Sequence, residues 1–197
     1  MRRKVAILLF DDVEVLDFAG PFEVFAVADE LHGHDCFEVF TVAADGAETV
    51  RARNGLSVTA DYRLGEAPTP QLLVVPGGQG TRALLEVPPF LQWLWETAHR
   101  CERVLSVCTG ALLLARAGLL EGLTATTHHT ALDLLADLAP RTGVVHGRRF
   151  VDNGRVVTAA GISAGIDMSL HVVGQLLGRE AAVRTAQYME YRWDGGL

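Results

Sequence analysis

The sequence predicts an α/β protein whose central sheet is mostly parallel. Short apolar runs rich in β-branched residues alternate with longer segments in which apolar residues recur at helical spacing. Residues 5–10 are apolar without interruption, as expected of a strand that helices cover on both faces. We therefore expect a doubly wound, layered fold in which this first strand is central.

Further apolar runs predict more strands, at residues 37–43, 71–75, 102–107 and 155–158. The last run follows Asn153-Gly154, which separates it from Phe150-Val151. An Asn-Gly pair between two apolar runs is a strong signal for a two-residue hairpin turn. Part of the sheet is therefore expected to be antiparallel.

Segments of helical spacing lie between the strands. The order Gly20-Pro21 predicts that Pro21 takes the first position of a helix with an apolar stripe. Residues 111–117 are apolar nearly all round and end at Gly118, which predicts a buried helix with a glycine C-cap. Similar signals predict three more helices, one beginning at Pro89, one from Ile166 to Leu177 before Gly178, and one over residues 179–190.

Length and charge narrow the classes of function. The 197 residues, 49% of them hydrophobic, can bury one sizeable core, and we expect residues 1–197 to form a single domain. A formal net charge of −7 offers no basic surface to nucleic acid or to an anionic membrane, so neither is expected as a partner. No apolar stretch approaches the roughly 20 residues of a membrane span.

The cysteines indicate the compartment. Cys36, Cys101 and Cys108 are an odd number without close metal-type pairing, which indicates free thiols in a reducing cytoplasm. No histidine pair has zinc-type spacing with a carboxylate or cysteine nearby, so no metal is expected. Cys36 and Cys101 lie outside any motif, and like His171 they are assigned structural or surface roles.

Cys108 is the main candidate for a catalytic residue. It lies between the strand at 102–107 and the helix at 111–117, where Gly110 permits a sharp turn. At a helix N-terminus the helix dipole favours the thiolate and lowers the pKa of a cysteine. The N–H of Thr109 would point at charge developing on a substrate attacked by the sulfur. The alternative is that Cys108 only fills a crowded corner, since free cysteines are often buried.

A glycine-rich loop after the strand at 71–75 is the second candidate feature. The N–H of Gly78 would complete an oxyanion-type site, with a plain turn as the alternative. The spacing Gly78-x-Gly80-x-x-Ala83 also fits a relaxed dinucleotide fingerprint. That fingerprint requires an acidic residue at the end of the following strand, where this chain has Cys108, so a nicotinamide site is disfavoured.

Asp17 is the third candidate, because it follows the first strand. Loops at the carboxyl ends of parallel strands converge on one crevice, so Asp17 is expected to reach Cys108. Helix capping near Gly20 is the alternative role. A carboxylate and a thiolate side by side would not readily both ionise, so the pair would share one proton and Asp17 would serve as a general acid.

Two adjacent histidines come after the elbow helix. A catalytic triad would need His128 or His129 beside the sulfur. We predict His128 as the pocket residue of the two.

At these residues the chain resembles the ThiJ/PfpI superfamily, which is class I glutamine amidotransferase-like. The resemblance runs over nearly the full length, and its motifs are Asp-Phe-Ala-Gly-Pro, Val-Val-Pro-Gly-Gly, Ser-Val-Cys-Thr-Gly-Ala, Ala-Thr-Thr-His and Ala-Ala-Gly-Ile-Ser-Ala-Gly. Cys-Thr-Gly with an upstream aspartate is similar to the isocyanide hydratase branch and to the sensor domains of AraC-type regulators. The histidine after His128 stands where this family often has tryptophan.

This resemblance implies a fold, a chemistry and an assembly. The fold is a flavodoxin-like three-layer sandwich with a mostly parallel sheet, and the assembly is a homodimer. Cys108 is implied as nucleophile and Asp17 as acid and base, with Thr109 and Gly78 carried over by position. The implied reaction hydrates a small electrophile, an isocyanide, to an N-substituted formamide through a thioimidate on Cys108, with no cofactor and no metal.

Other functions of the superfamily stay open. Peptidase-like members have histidine directly after the nucleophile, where this chain has Thr109, so peptidase activity is disfavoured. Glyoxalase or deglycase activity resembles members with glutamate in place of Asp17. A stand-alone ligand-sensing or redox-stress protein is the non-enzyme alternative, and we expect no DNA-binding unit because Leu197 follows soon after the last predicted helix.

Overall fold

The computed structural model describes residues 2–44 and 46–195. Its strands, in chain order, are β1 (Arg3–Leu9), β2 (Phe37–Ala43), β3 (Thr49–Arg51), β4 (Ser57–Thr59), β5 (Tyr62–Arg63), β6 (Leu72–Val75), β7 (Arg103–Val107), β8 (Thr124–Ala125), β9 (Gly143–Val144), β10 (Phe150–Asp152) and β11 (Val156–Ala159). Its α-helices are α1 (Val15–Leu31), α2 (Thr81–Leu84), α3 (Pro88–Arg100), α4 (Gly110–Arg116), α5 (Leu132–Leu138), α6 (Ala164–Leu177) and α7 (Arg179–Tyr188). Short 3₁₀ turns occupy Arg53–Gly55 and His129–Ala131.

A central sheet organises the molecule. Within the described residues it has seven strands in the order β10-β11-β7-β6-β1-β2-β5. Its pairs are parallel except β10 with β11, which is antiparallel. The mostly parallel sheet is thus confirmed, with β1 in its interior between β6 and β2.

Helices cover both faces of this sheet. The chain moves from β1 to β2 in one direction along the sheet, and from β6 through β7 to β11 in the other. Because parallel crossovers are right-handed, these connections place their helices on opposite faces. Helix α1 packs with α6 and α7, whereas α4 packs with α2, α3 and α5. The flavodoxin-like three-layer arrangement is confirmed.

The reversal of direction fixes where a site can lie. Strands β1 and β6 are neighbours, and their connections leave toward opposite edges of the sheet. In open α/β sheets, ligands bind outside the carboxyl ends of the strands at such a switch point. The loops after β1, β6 and β7 therefore meet at this crevice.

The first helix begins earlier than predicted. Helix α1 starts at Val15, and Pro21 lies inside it rather than at its first position, so that prediction is wrong. Proline lacks an N–H, so the carbonyl of Asp17, four residues earlier, loses its usual helical partner. The helix tolerates this loss because Phe18, Val24 and Phe25 bury one of its faces.

The antiparallel hairpin is confirmed, with its turn one residue later than predicted. Asn153 pairs with Val156 through its N–H, so Gly154 and Arg155 form the two-residue connection. Gly154 has a φ of +81°, which favours glycine. The β3–β4 hairpin and the β8–β9 pair were not predicted from the sequence, because their strands have only two or three residues each.

The predicted helix boundaries are otherwise close. Helix α3 begins at Pro88, one residue before the predicted proline, and α4 is followed by Gly118 with a φ of +73°. Gly178 ends α6 as predicted. Of the helices in the described part of the chain, none combines the length and apolarity needed to cross a membrane.

Candidate active site

Cys108 lies on a sharp turn between β7 and α4. Its φ is +56°, a left-handed conformation that is strained for a non-glycine residue. Its N–H donates to the carbonyls of Ala159 and Ala160 at 3.1 and 2.9 Å, and its carbonyl accepts from the hydroxyl of Thr127 at 2.7 Å. These hydrogen bonds hold the strained residue in place and confirm the predicted elbow.

Close packing explains the glycine after the elbow. A Cβ built on Gly110 would lie 2.0 Å from the carbonyl oxygen of Val75. Only glycine lets α4 begin this close to the end of β6. The requirement brings Cys108 next to the loop that follows β6.

Asp17 lies in the first turn of α1 and is fully buried. Its Oδ2 accepts a hydrogen bond from the N–H of Gly77 at 3.0 Å. Its Oδ1 is buried without a conventional hydrogen-bond partner among residues 2–44 and 46–195. The Cys108 thiol is close enough to lower the pKa of this carboxyl.

Burial raises the pKa of Asp17 to about 7. The N–H groups of Gly77 and Ile162 oppose this shift by stabilising the carboxylate, whereas the nearby charge of Glu14 adds to it. A carboxyl group with this pKa exchanges its proton near neutral pH. It can therefore act as an acid and as a base in one catalytic cycle.

The predicted lowering of the Cys108 pKa is wrong. Burial, and after it the charge of Asp17, raises the pKa of this thiol to about 12. Cys108 is only 6% exposed, so the loss of water disfavours its thiolate. The resting sulfur is a thiol, and forming its anion requires a proton acceptor such as Asp17.

Two backbone N–H groups stabilise charge on the sulfur. Those of Thr109 and Ile162 lower the pKa of Cys108 by hydrogen bonding to the sulfur. Thr109 was predicted from the sequence, whereas Ile162 was not. Ile162 has a φ of +51° in the loop after β11, and the position of that loop at the carboxyl end of a parallel strand was the available signal.

Gly78 has a different partner from the one expected. Its N–H donates to the Oγ1 of Thr109 at 3.0 Å, and this hydroxyl also lies 3.2 Å from the carbonyl oxygen of Gly78. Thr81 adds a hydrogen bond to the same hydroxyl at 3.3 Å. The Gly78 N–H is thus engaged by Thr109, and its observed effect is to fix the residue after the nucleophile.

His128 lines the pocket but is oriented by another residue. Its Nδ1 accepts from the N–H of Thr130 at 3.3 Å and lies 2.8 Å from the Thr130 hydroxyl. A Cβ on Gly161 would lie 2.4 Å from the ring, so the histidine packs directly on that glycine. Burial and the charge of His129 lower the pKa of His128, which favours a neutral ring.

The remaining candidates lie elsewhere. The thiol of Cys101 is buried and donates to the carbonyl of Pro70 at 3.4 Å. His171 lies 2.8 Å from the Oδ2 of Asp152, and Cys36 is half-buried. Within the described ranges, no group of three His, Cys, Asp or Glu side chains is placed to hold a metal ion.

The Cys108 thiol opens into a small pocket of about 110 Å³. A larger cavity of about 420 Å³ adjoins it and shares His128 and Ile162 with it. The small pocket admits a compact reacting group, and the larger cavity can hold a substituent. The residues lining the small pocket are Glu14, Arg53, Gly78, Gln79, Arg82, Cys108, Thr109, His128, Thr130 and Ile162.

This combination of a layered α/β fold and a cysteine elbow defines a class of protein. Residues 3–175 match the model of the DJ-1/PfpI family, and the chain belongs to that family. A solved ThiJ/PfpI family protein from Pseudomonas syringae superposes with a TM-score of 0.87 at 28% identity, covering 98% of this chain and 77% of that one.

Curated relatives include an enzyme and regulators. The chain is 33% identical to isonitrile hydratase of Pseudomonas putida over 97% of this chain and 79% of that protein. It is 31% identical to the HTH-type transcriptional regulator GbdR of Pseudomonas aeruginosa, over 96% of this chain. The chain spans about half the length of that regulator, 51%.

Proposed function

We propose that this chain is a cysteine-dependent hydratase that converts a small isocyanide, also called an isonitrile, into an N-substituted formamide. The observation that carries the proposal is the buried Asp17 carboxyl beside the Cys108 thiol, with a pKa of about 7. The likeness to isonitrile hydratase supports the choice of substrate.

The first half of the proposed reaction forms a covalent intermediate. Asp17 accepts the thiol proton as the sulfur of Cys108 attacks the terminal carbon of the isocyanide. A sulfur–carbon bond forms, and the protonated Asp17 delivers the same proton to that carbon. The product is a thioimidate on Cys108, and the carboxylate of Asp17 is restored.

The second half releases the product. Asp17 removes a proton from a water molecule as the oxygen attacks the thioimidate carbon. The carbon–sulfur bond then breaks, and the sulfur leaves with its charge stabilised by the N–H groups of Thr109 and Ile162. Proton return from Asp17 regenerates the thiol, and the second water proton moves from the carbon-bound oxygen to nitrogen to complete the formamide. The sum is one isocyanide plus one water giving one formamide.

A second candidate is a ligand-sensing module that binds a small molecule without turning it over. The match to the regulator GbdR supports this candidate, because almost the whole chain aligns with about half of that protein. Both candidates use the same pocket. They differ in whether product forms.

The test is product formation from a small alkyl isocyanide, measured by mass spectrometry of the formamide. The wild-type protein is expected to produce it and Cys108→Ala to abolish it. Cys101→Ala is the matched control, because Cys101 is another buried free cysteine and lies outside the pocket. Absence of formamide with wild-type protein, or full activity in Cys108→Ala, rejects the hydratase proposal.

A further inference from the structure

The pocket over Cys108 is lined by more positive than negative side chains. Arg53 and Arg82 are its arginines, and Glu14 is the one carboxylate among its described lining residues. Asp17 lies beneath the thiol, fully buried. The chain as a whole has a net charge of −7, so the excess of positive side chains at this pocket is opposite in sign to the net charge of the protein.

Within residues 2–44 and 46–195, Arg82 has no carboxylate partner. Its guanidinium donates to the carbonyl oxygen of Gly78 at 3.3 Å and to the hydroxyl of Thr81 at 3.0 Å. Neither acceptor carries a charge, and no salt bridge joins Arg82 to an acid within the part of the chain that the structure describes. Its positive charge therefore lies at the pocket, next to Thr81, whose hydroxyl contacts that of Thr109.

Arg53 reaches the same pocket from the β3–β4 hairpin. Its N–H donates to the carbonyl of Val13 at 2.9 Å, which ties the hairpin to the loop after β1. Its side chain pairs with Glu14 at 3.3 Å, so this pair is close to neutral overall. Burial and the charge of His129 lower the pKa of His128, and the charges of Glu14, Arg53 and Arg82 also act on it, so these groups lie near one another at the pocket.

The adjoining cavity has the same bias. Its described lining includes Arg148 and Arg149 beside two histidines, and no aspartate or glutamate. Arg149 is paired with Asp167 and also donates to the hydroxyl of Ser163. Arg148 is exposed and has no carboxylate partner within residues 2–44 and 46–195.

We infer that Arg82 makes the Cys108 pocket selective for small electrophiles that carry a negative charge, such as a carboxylate. The inference rests on the proposed role of Cys108 as nucleophile. A carboxylate on the substrate can pair with the guanidinium of Arg82 while the reacting carbon lies at the sulfur. Within the proposed function, the preferred substrate class is then an isocyanide bearing a carboxylate.

Alkylation by a matched pair of reagents tests this selectivity without depending on hydration. Iodoacetate and iodoacetamide each form a sulfur–carbon bond and expel iodide, with the thiol proton released to solvent. They are similar in size and differ by the carboxylate. The alkylation rate of Cys108 with each reagent is followed by peptide mass spectrometry. The measured quantity is the rate with iodoacetate divided by the rate with iodoacetamide.

We expect this ratio to fall by roughly threefold or more in Arg82→Gln, as one charge removed at about 6 Å in a watery environment predicts. Arg82→Lys keeps the charge and should keep the ratio. Gln79→Glu adds a negative charge at an exposed position of the same pocket, so it should also lower the ratio without threatening the fold. Arg63→Gln changes the net charge equally at the distant strand β5 and should leave the ratio unchanged.

Cys36 supplies a control inside each sample, since it lies outside the pocket and its ratio should not follow these variants. An unchanged Cys108 ratio in both Arg82→Gln and Gln79→Glu overturns the inference, as does an equal fall in Arg63→Gln. Isocyanide hydration is measured on the same proteins. Charge-selective alkylation of Cys108 without isocyanide hydration supports the charge inference and rejects the hydratase proposal. Isocyanide hydration without charge-selective alkylation supports the hydratase proposal and rejects the charge inference.

Discussion

The charge of Asp17 raises the pKa of the Cys108 thiol, while the nearby thiol lowers the pKa of Asp17. Burial is the larger cause of the pKa shift in both residues. A second negative charge in this buried pair is costly, so near neutral pH the two groups hold at least one proton between them. That proton is the one that the proposed mechanism moves from sulfur to carbon.

Replacing Asp17 with asparagine should remove this proton transfer. We expect Asp17→Asn to lower kcat for isocyanide hydration by about 10²–10⁴-fold, the usual contribution of general acid–base catalysis. Steady-state kinetics with formamide detection measures the effect. Asp133→Asn, at an exposed position of α5, is the control and should retain normal kcat. Wild-type kcat in Asp17→Asn would remove Asp17 from the mechanism.

The same substitution should change how stability depends on pH. The pKa of Asp17 is raised from 3.8 to about 7 by folding, so between these values the folded protein binds more protons than the unfolded chain. The contribution of Asp17 to stability is therefore complete below about pH 4 and is lost as pH rises to about 7.

Asp17→Asn lacks this titration. From pH 5 to pH 8, the free energy of unfolding of the wild type should fall relative to that of Asp17→Asn, by on the order of 1–3 kcal/mol. Urea unfolding at the two pH values measures the difference, and Asp133→Asn should follow the wild type. Parallel pH profiles for wild type and Asp17→Asn would show that folding does not raise the pKa of Asp17.

Gly77 leaves no room for a side chain at the site. A Cβ there would lie 2.5 Å from the backbone N of Thr109 and 2.9 Å from the Oδ2 of Asp17. Gly77→Ala should therefore lose about 1–3 kcal/mol of stability and most of its activity, because the alanine displaces both site residues. Thermal unfolding and kinetics measure the two effects.

Gly174→Ala is the matched control for that substitution. Gly174 lies within α6, and a Cβ there would make an ordinary 3.4 Å contact with the Cβ of Ala182. Alanine favours the helix by about 0.5–1 kcal/mol, so this variant should be at least as stable as wild type and fully active. Equal behaviour of the two variants would contradict the assigned crowding at Gly77.

The hydroxyl of Thr127 stabilises the backbone turn at Cys108. Thr127→Val keeps the shape of the side chain and removes the 2.7 Å hydrogen bond to the Cys108 carbonyl, which should cost about 1–3 kcal/mol and lower kcat by loosening the nucleophile. Thr142→Val removes a hydrogen bond of equal length to the carbonyl of Leu120, far from Cys108 along the chain. It should cost similar stability and leave kcat intact. If both variants have the same kcat, Thr127 has no positioning role.

The sequence predicted most of the fold because its signals are local. The uninterrupted apolar run at β1, the largely apolar segments at β2 and β7, and the glycines at 118 and 178 indicate strands and helix ends through residues close in sequence. Pro21 misled the prediction of α1. Proline alone indicates that a helix begins near residue 21, but tertiary packing lets α1 begin at Val15 and continue through Pro21.

The site was predicted less completely, because it depends on contacts between distant segments. The motifs and the order of the strands correctly predicted that Asp17 and Cys108 lie close together. Local reasoning about the helix dipole gave the wrong direction for the pKa of Cys108, since burial depends on neighbours that one segment does not reveal. For the same reason it missed Ile162 and the partner of the Gly78 N–H.

The most direct test is peptide mass spectrometry of wild-type protein quenched during reaction with a small alkyl isocyanide. The proposed mechanism predicts that the peptide containing Cys108 gains the mass of one isocyanide molecule, while those containing Cys36 and Cys101 are unchanged. Formamide production with no adduct on Cys108 and with undiminished activity in Cys108→Ala would contradict it.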